Sequence, residues 1–104
     1  MSTEDWEEAA RCFYNQDWKR LIEINEAKLK DEPDSEFLLW ETADAYFNLG
    51  EYKRALEIGE RIHELYHGSP NAKDIIDRAK ATLETNKKYK SYMARKERRQ
   101  YDKK

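Results

Sequence analysis

The sequence predicts an all-α fold of five helices, and three observations predict it. Apolar residues recur at three- and four-residue steps, the period of one helical face. Only three Gly and two Pro interrupt the 104 residues, which leaves few turns, so the elements must be long. No stretch alternates in the two-residue period of a half-buried strand.

The first helix starts at Ser2 or Thr3, with Asp5, Glu7 and Glu8 placed to complement the positive end of its dipole. Trp6, Ala9, Ala10 and Phe13 mark its apolar face. Asn15-Gln16-Asp17 breaks it, and Asp17 caps a second helix carrying Leu21, Ile22, Ile24 and Leu29. Pro33-Asp34-Ser35 is a stop followed by a new cap. The third helix carries Leu39, Ala43, Tyr46 and Leu49 and ends at Gly50, suited to a left-handed C-cap. The fourth runs from about Glu51 to His67 and ends at Gly68. Ser69-Pro70 reads as N-cap and first residue of a fifth. Its apolar stripe is Ala72, Ile75, Ile76, Ala79 and Leu83, and no breaker follows it, although apolar spacing fades beyond Lys96, where fraying is expected.

At this length one small domain with one modest core is the upper bound. The chain is 38% apolar and 40% charged, the balance of exposed helices rich in Glu, Lys and Arg. Three Trp, seven Tyr and three Phe offset the shortage of aliphatics, since each can bury a large area. The longest apolar run, Phe37-Leu38-Leu39-Trp40, is far too short to span a bilayer. The N-terminus lacks the basic-then-apolar pattern of a signal peptide, and one cysteine allows no internal disulfide. A soluble, monomeric cytoplasmic protein is the expectation. The net charge of −2 hides an asymmetry: residues 87–104 carry nine basic and two acidic residues, a balance of +7, so residues 1–86 sum to −9.

The chain also repeats itself. Trp18-Lys19-Arg20-Leu21-Ile22-Glu23-Ile24 lies over Tyr52-Lys53-Arg54-Ala55-Leu56-Glu57-Ile58 at a spacing of 34 residues. A period of 34 in helical hairpins is a signature of stacked repeats. The sequence resembles the tetratricopeptide repeat family, whose pattern is roughly W-x2-L-G-x2-Y, then A-x3-F, then P. The first copy meets it with Trp6-x2-Ala9-Ala10-x2-Phe13, Leu21-x3-Asn25 and Pro33. The second gives Leu39-x2-Thr42-Ala43-x2-Tyr46 and Ala55-x3-Gly59. Small residues at Ala10 and Ala43 would let helices approach, with Phe13 and Tyr46 filling the wedge beside them. This alignment makes the first inter-helix turn one residue shorter than the second, puts Asn25 and Gly59 where the family has a large apolar side chain, and displaces the second closing proline to Pro70.

The resemblance covers residues 4–70. It implies antiparallel hairpins over 3–33 and 34–68 stacked as a short α-solenoid, with 69–104 as the capping helix that such arrays need. It also implies a concave groove for an extended partner segment, lined by Glu4, Glu7, Arg11, Tyr14, Phe37, Trp40, Asp44 and Phe47. Phe37, Trp40, Tyr14 and Phe47 would be the aromatic anchors, and Arg11 and Asp44 would set polarity. The competing reading is that Phe37, Trp40 and Phe47 make the third helix apolar on two faces because it is sandwiched between neighbours. Members that bind chaperones grip a carboxylate with Lys, Asn and Arg on these faces; Glu7, Arg11 and Glu41 speak against that use.

His63-Glu64-Leu65-Tyr66-His67 matches H-E-x-x-H, in which two histidines one helical turn apart ligate zinc and the glutamate activates water. A third ligand would have to be Asp74, Asp77 or Glu84. No strand aligns a peptide substrate, Gly68 ends the helix at once, and the chain has two histidines in all, so His67 reads as a C-terminal helix cation and His63 as packing. The tail interleaves Lys87, Lys88, Lys90, Arg95, Lys96, Arg98 and Arg99 with Tyr89, Tyr92 and Tyr101. That mixture suits RNA or an anionic surface, or a helix folded along the acidic body with Tyr89 and Met93 extending the Leu83 stripe. Cys12, beside Phe13, reads as packing. The leading expectation is therefore a non-enzymatic, cofactor-free helical repeat module that presents an aromatic face to another protein. An engineered assembly of repeat-like hairpins with no evolved ligand fits the same pattern, and an adaptor acting through the basic tail is the third reading.

Overall fold

The computed structural model describes the backbone of residues 3–102 and the side chains of residues 6–91 and 94. Five helices follow one another: α1 (Thr3–Tyr14), α2 (Trp18–Asp31), α3 (Glu36–Asn48), α4 (Tyr52–Leu65) and α5 (Pro70–Asp102). There is no strand among the described residues. The caps read from the sequence are in place. The Asp17 side chain accepts from the Arg20 amide, Ser35 from Leu38, and Ser69 from Ala72, each satisfying a first-turn N–H that the helix cannot. α4 stops at Leu65, short of His67, and α5 continues past Lys96 to Asp102.

The two inter-helix turns at 15–17 and 49–51 have the same length and the same hydrogen bonds. Asp17 N–H donates to the Cys12 carbonyl and Gln16 N–H to Phe13; Glu51 N–H donates to Tyr46 and Gly50 N–H to Phe47. Both are Schellman caps closed by a residue of positive φ, 87° at Gly50 and 58° at Gln16. The 34-residue period therefore holds through the turn, and the shorter first turn predicted from the sequence is corrected. The register of α1 shifts with it. Ala9, not Ala10, is the buried partner of Ala43, and buried Cys12, not Phe13, is the partner of Tyr46. Ala10 and Trp6 are exposed, and Phe13 stands on the rim of the core, edge-on to Trp18 at 5.6 Å, as Phe47 stands to Tyr52 at 5.1 Å.

Two clusters of small and aliphatic side chains hold the helices together. Ala9, Cys12, Leu21, Ile22 and Ala45 join α1, α2 and α3; Leu39, Ala43, Ala55, Ile58, Ile62, Ala72 and Ile75 join α3, α4 and α5; Tyr46 packs against both. α1 packs on α2, α2 on α3, and α3 on α4 and α5, with α4 against α5. On α2 the buried line is Leu21, Ile22, Asn25 and Lys28, while Ile24 and Leu29 are half-buried; Leu49, predicted in the core, is exposed. α3 and α5 run parallel and in register, because Ser69 and Asn71 donate to Glu36 and Arg78 donates to Asp44 at 3.0 Å. Those partners are 33, 35 and 34 residues apart, so the repeat spacing recurs between helices.

Gly59 explains its own departure from the family pattern. A Cβ built there would meet Ile75 Cγ2 at 2.8 Å and Ile76 Cγ1 at 3.1 Å, so α4 and α5 approach closely enough to exclude any side chain. Ile75 is fully buried. Gly59→Ala should therefore destabilise the protein by about 1–3 kcal/mol despite alanine's better helix propensity. Urea unfolding checks this; a stabilised variant would show that α5 shifts freely.

Candidate functional face and its side chains

The residues predicted to line a groove divide into two groups. Tyr14 is 85% exposed and Phe37 50% exposed. Trp40 and Phe47 are half-buried against the α3–α4–α5 cluster. Trp40 has its indole nitrogen enclosed and without a hydrogen-bond partner, which marks it as packing. Asp44 is committed to Arg78, whose guanidinium also reaches Asp74 at 2.7 Å and lies 4.9 Å over the Phe47 ring. Burial alone would lower the Arg78 pKa, but the hydrogen bonds to Asp74 and Asp44 outweigh it and hold it above its ordinary value. Arg11 is exposed in the last turn of α1, and Glu7 is exposed; the Glu4 side chain lies outside the described residues.

Trp6, assigned from its spacing to the buried face of α1, belongs with Phe37 instead. Their rings lie 6.3 Å apart, and Lys28 Nζ sits 3.8 Å from the Trp6 ring centre. Lys28 is buried in the line Leu21, Asn25, Lys28, and that four-then-three spacing was the available signal for it. Asn25, with no exposed surface, donates to Glu41 Oε1 at 2.9 Å. α1 and α3 are thus bridged by large side chains over a partly polar floor. Arg78 was missed because it lies off the apolar stripe of α5, although it stands 34 residues beyond Asp44.

The H-E-x-x-H match does not assemble. His67 lies beyond the end of α4, its ring 5.2 Å from that of His63 in an edge-on arrangement, and Glu64 pairs with Arg61 at 3.7 Å. Asp74 is committed to Arg78. Among the described residues no group of His, Cys, Asp and Glu could hold a metal ion. Cys12 is buried; burial pushes its thiol pKa up, and the Asp17 and Glu8 carboxylates push the same way.

In the tail, Lys87, Lys88, Tyr89, Lys90 and Ser91 are exposed, and the side chains of Arg95, Lys96, Arg98 and Arg99, like those of Met93 and Tyr92, lie outside the described residues. Tyr89 does not extend the Leu83 stripe, being 63% exposed. Past Leu83, α5 runs beside the α3–α4 turn, with Asn86, Lys87 and Lys90 near Gly50 and Tyr52, and is not folded back along the body. No helix among the described residues is long and apolar enough to cross a membrane.

No protein-family model matches the chain, and no curated protein is significantly similar to it. Two stability tests separate packing from face. Trp40→Ala should cost about 2–4 kcal/mol in chemical denaturation, whereas Phe37→Ala should cost less than about 1 kcal/mol. In native protein at pH 8, Cys12 should react with a thiol reagent at least about a hundredfold more slowly than in urea, because burial disfavours the thiolate and blocks the reagent until the site opens.

Proposed function

We propose that the chain is a non-enzymatic module of the tetratricopeptide type, and that it takes an extended segment of another protein across α1 and α3. The observation that carries this reading is the 34-residue register, repeated in the two Schellman turns and in the α3–α5 pair Asp44 with Arg78. A register that recurs along the chain and between helices is what stacked hairpins require. The strip between α1 and α3 is marked by the Trp6 and Phe37 rings, 6.3 Å apart. Around that strip, Tyr14, Phe37 and Trp6 keep large aromatic surfaces in solvent, which burial against a partner would cover. Trp40 and Phe47 serve as the floor that fixes α3, not as anchors.

The partner's chemistry follows from the strip. Asp44 is already neutralised by Arg78, and the exposed rings lie beside Glu7 and Glu41, so the segment should carry apolar or aromatic side chains with basic neighbours. Selection from a displayed library of unstructured peptides tests this. Selected peptides should be rich in such residues and should lose at least about tenfold in affinity on Phe37→Ala or Tyr14→Ala, with the circular dichroism of the protein unchanged. Peptides that bind both variants as well as wild type would overturn the reading.

A further inference from the structure

The molecule carries opposite charges at opposite ends of its packing order. Residues 1–36, which contain α1 and α2, hold eleven acidic and five basic residues, a balance of −6, whereas residues 87–104 sum to +7. α1 packs on α2 and reaches α3 through side chains such as Trp6 and Phe37, α5 packs on α3 and α4, and the body with its extended α5 is 66 Å long. Screening decides what those charges can meet. The Debye length is about 8–10 Å at physiological ionic strength, so ends separated by several such lengths do not neutralise one another within a chain. Lys87 and Lys90 pass beside the α3–α4 turn, yet Lys87, Lys88 and Lys90 remain exposed, as do Glu7 on α1 and Asp31 and Glu32 at the end of α2.

We infer that the basic extension of α5 docks on the acidic α1–α2 hairpin of a second copy of this chain. A second copy supplies the complementary charge at equal stoichiometry, whereas a nucleic acid or an anionic membrane would have to approach a body of net −9 beside the tail. The two surfaces differ, so the contact is heterologous: it propagates head to tail unless the rotation closes a ring. The tail brings an exposed aromatic, Tyr89, to a surface that already shows Trp6 and Phe13. Trp6 and Glu7 border the peptide-binding face as well, but Lys87, Lys88 and Lys90 do not, so reversal of the tail charges tests this contact without touching that reading.

Sedimentation of the full chain tests it. At about 20 mM salt, the weight-average mass should rise with concentration through the range of tens to hundreds of micromolar, and about 500 mM salt should weaken association at least about tenfold. Lys87→Glu/Lys88→Glu/Lys90→Glu and, separately, Glu7→Lys/Asp31→Lys/Glu32→Lys should each be monomeric, with the helical signal of the wild type. Mixing the two variants should restore association, because each then offers the end the other has lost. A wild type that stays monomeric at low salt and several hundred micromolar overturns the inference. So does association that survives both reversals, or a monomer whose tail instead retains polyuridine or anionic lipid vesicles.

Discussion

The spacing between α4 and α5 depends on one missing methyl group. With a Cβ at Gly59 the two helices could not hold Ile75 where it stands, fully buried, with its Cγ2 2.8 Å from that position. Because Ile75 is fixed, the next turn of α5 is fixed too, and Arg78 is delivered to Asp44 and over Phe47. Ala43, Ala55 and Ala72, all buried in the same cluster, do the same for α3 and its neighbours by keeping backbones near. A chain with few large aliphatics has to gain its stability this way, through close approach of helices and the dispersion contacts that follow.

The first half of the molecule solves the same geometry with different chemistry. Where the second copy has Gly59 and Ile62, the first has Asn25 and Lys28, both buried. Asn25 uses its amide on Glu41, and Lys28 places its ammonium on the Trp6 ring, so the polar groups that would otherwise be costly in a core are tied to α3 and α1. Two consequences follow. α1 is held to α3 through side chains long enough to leave the helices apart, and Trp6 is drawn out of the core to cover Lys28. The aromatic surface beside Phe37 is thus a by-product of how a buried lysine is satisfied.

Helix number, helix boundaries and the α5 stripe were legible in the sequence because breakers and caps act locally: Gly50, Gly68 and the Ser69-Pro70 pair each dictate a backbone event within a few residues. The register of α1 was not. Ala9-Ala10 and Phe13-Tyr14 are adjacent like residues, so two alignments differing by one residue satisfy the same spacing rule. What separates them is the positive φ of Gln16, and a glutamine carries none of the signal that Gly50 does. Trp40 and Phe47 were ambiguous for a different reason. A residue on the flank of a helix is core or surface according to its neighbour, and for Phe47 that neighbour is Arg78, a charged residue whose guanidinium lies over the ring.

Charge follows the same logic of place. Within the body, four arginines are paired with carboxylates: Arg20 with Glu8 and Glu23, Arg54 with Glu57, Arg61 with Asp34 and Glu64, Arg78 with Asp44 and Asp74. Exposed pairs of this kind contribute little to stability. The course of the tail is set instead by the continuity of α5. A helix with no Gly or Pro after Pro70 cannot fold back, and its rise carries the basic residues away from the body at about 1.5 Å per residue. An overall charge near zero therefore describes the sum over a molecule whose two ends behave, at cellular ionic strength, as separate polyions.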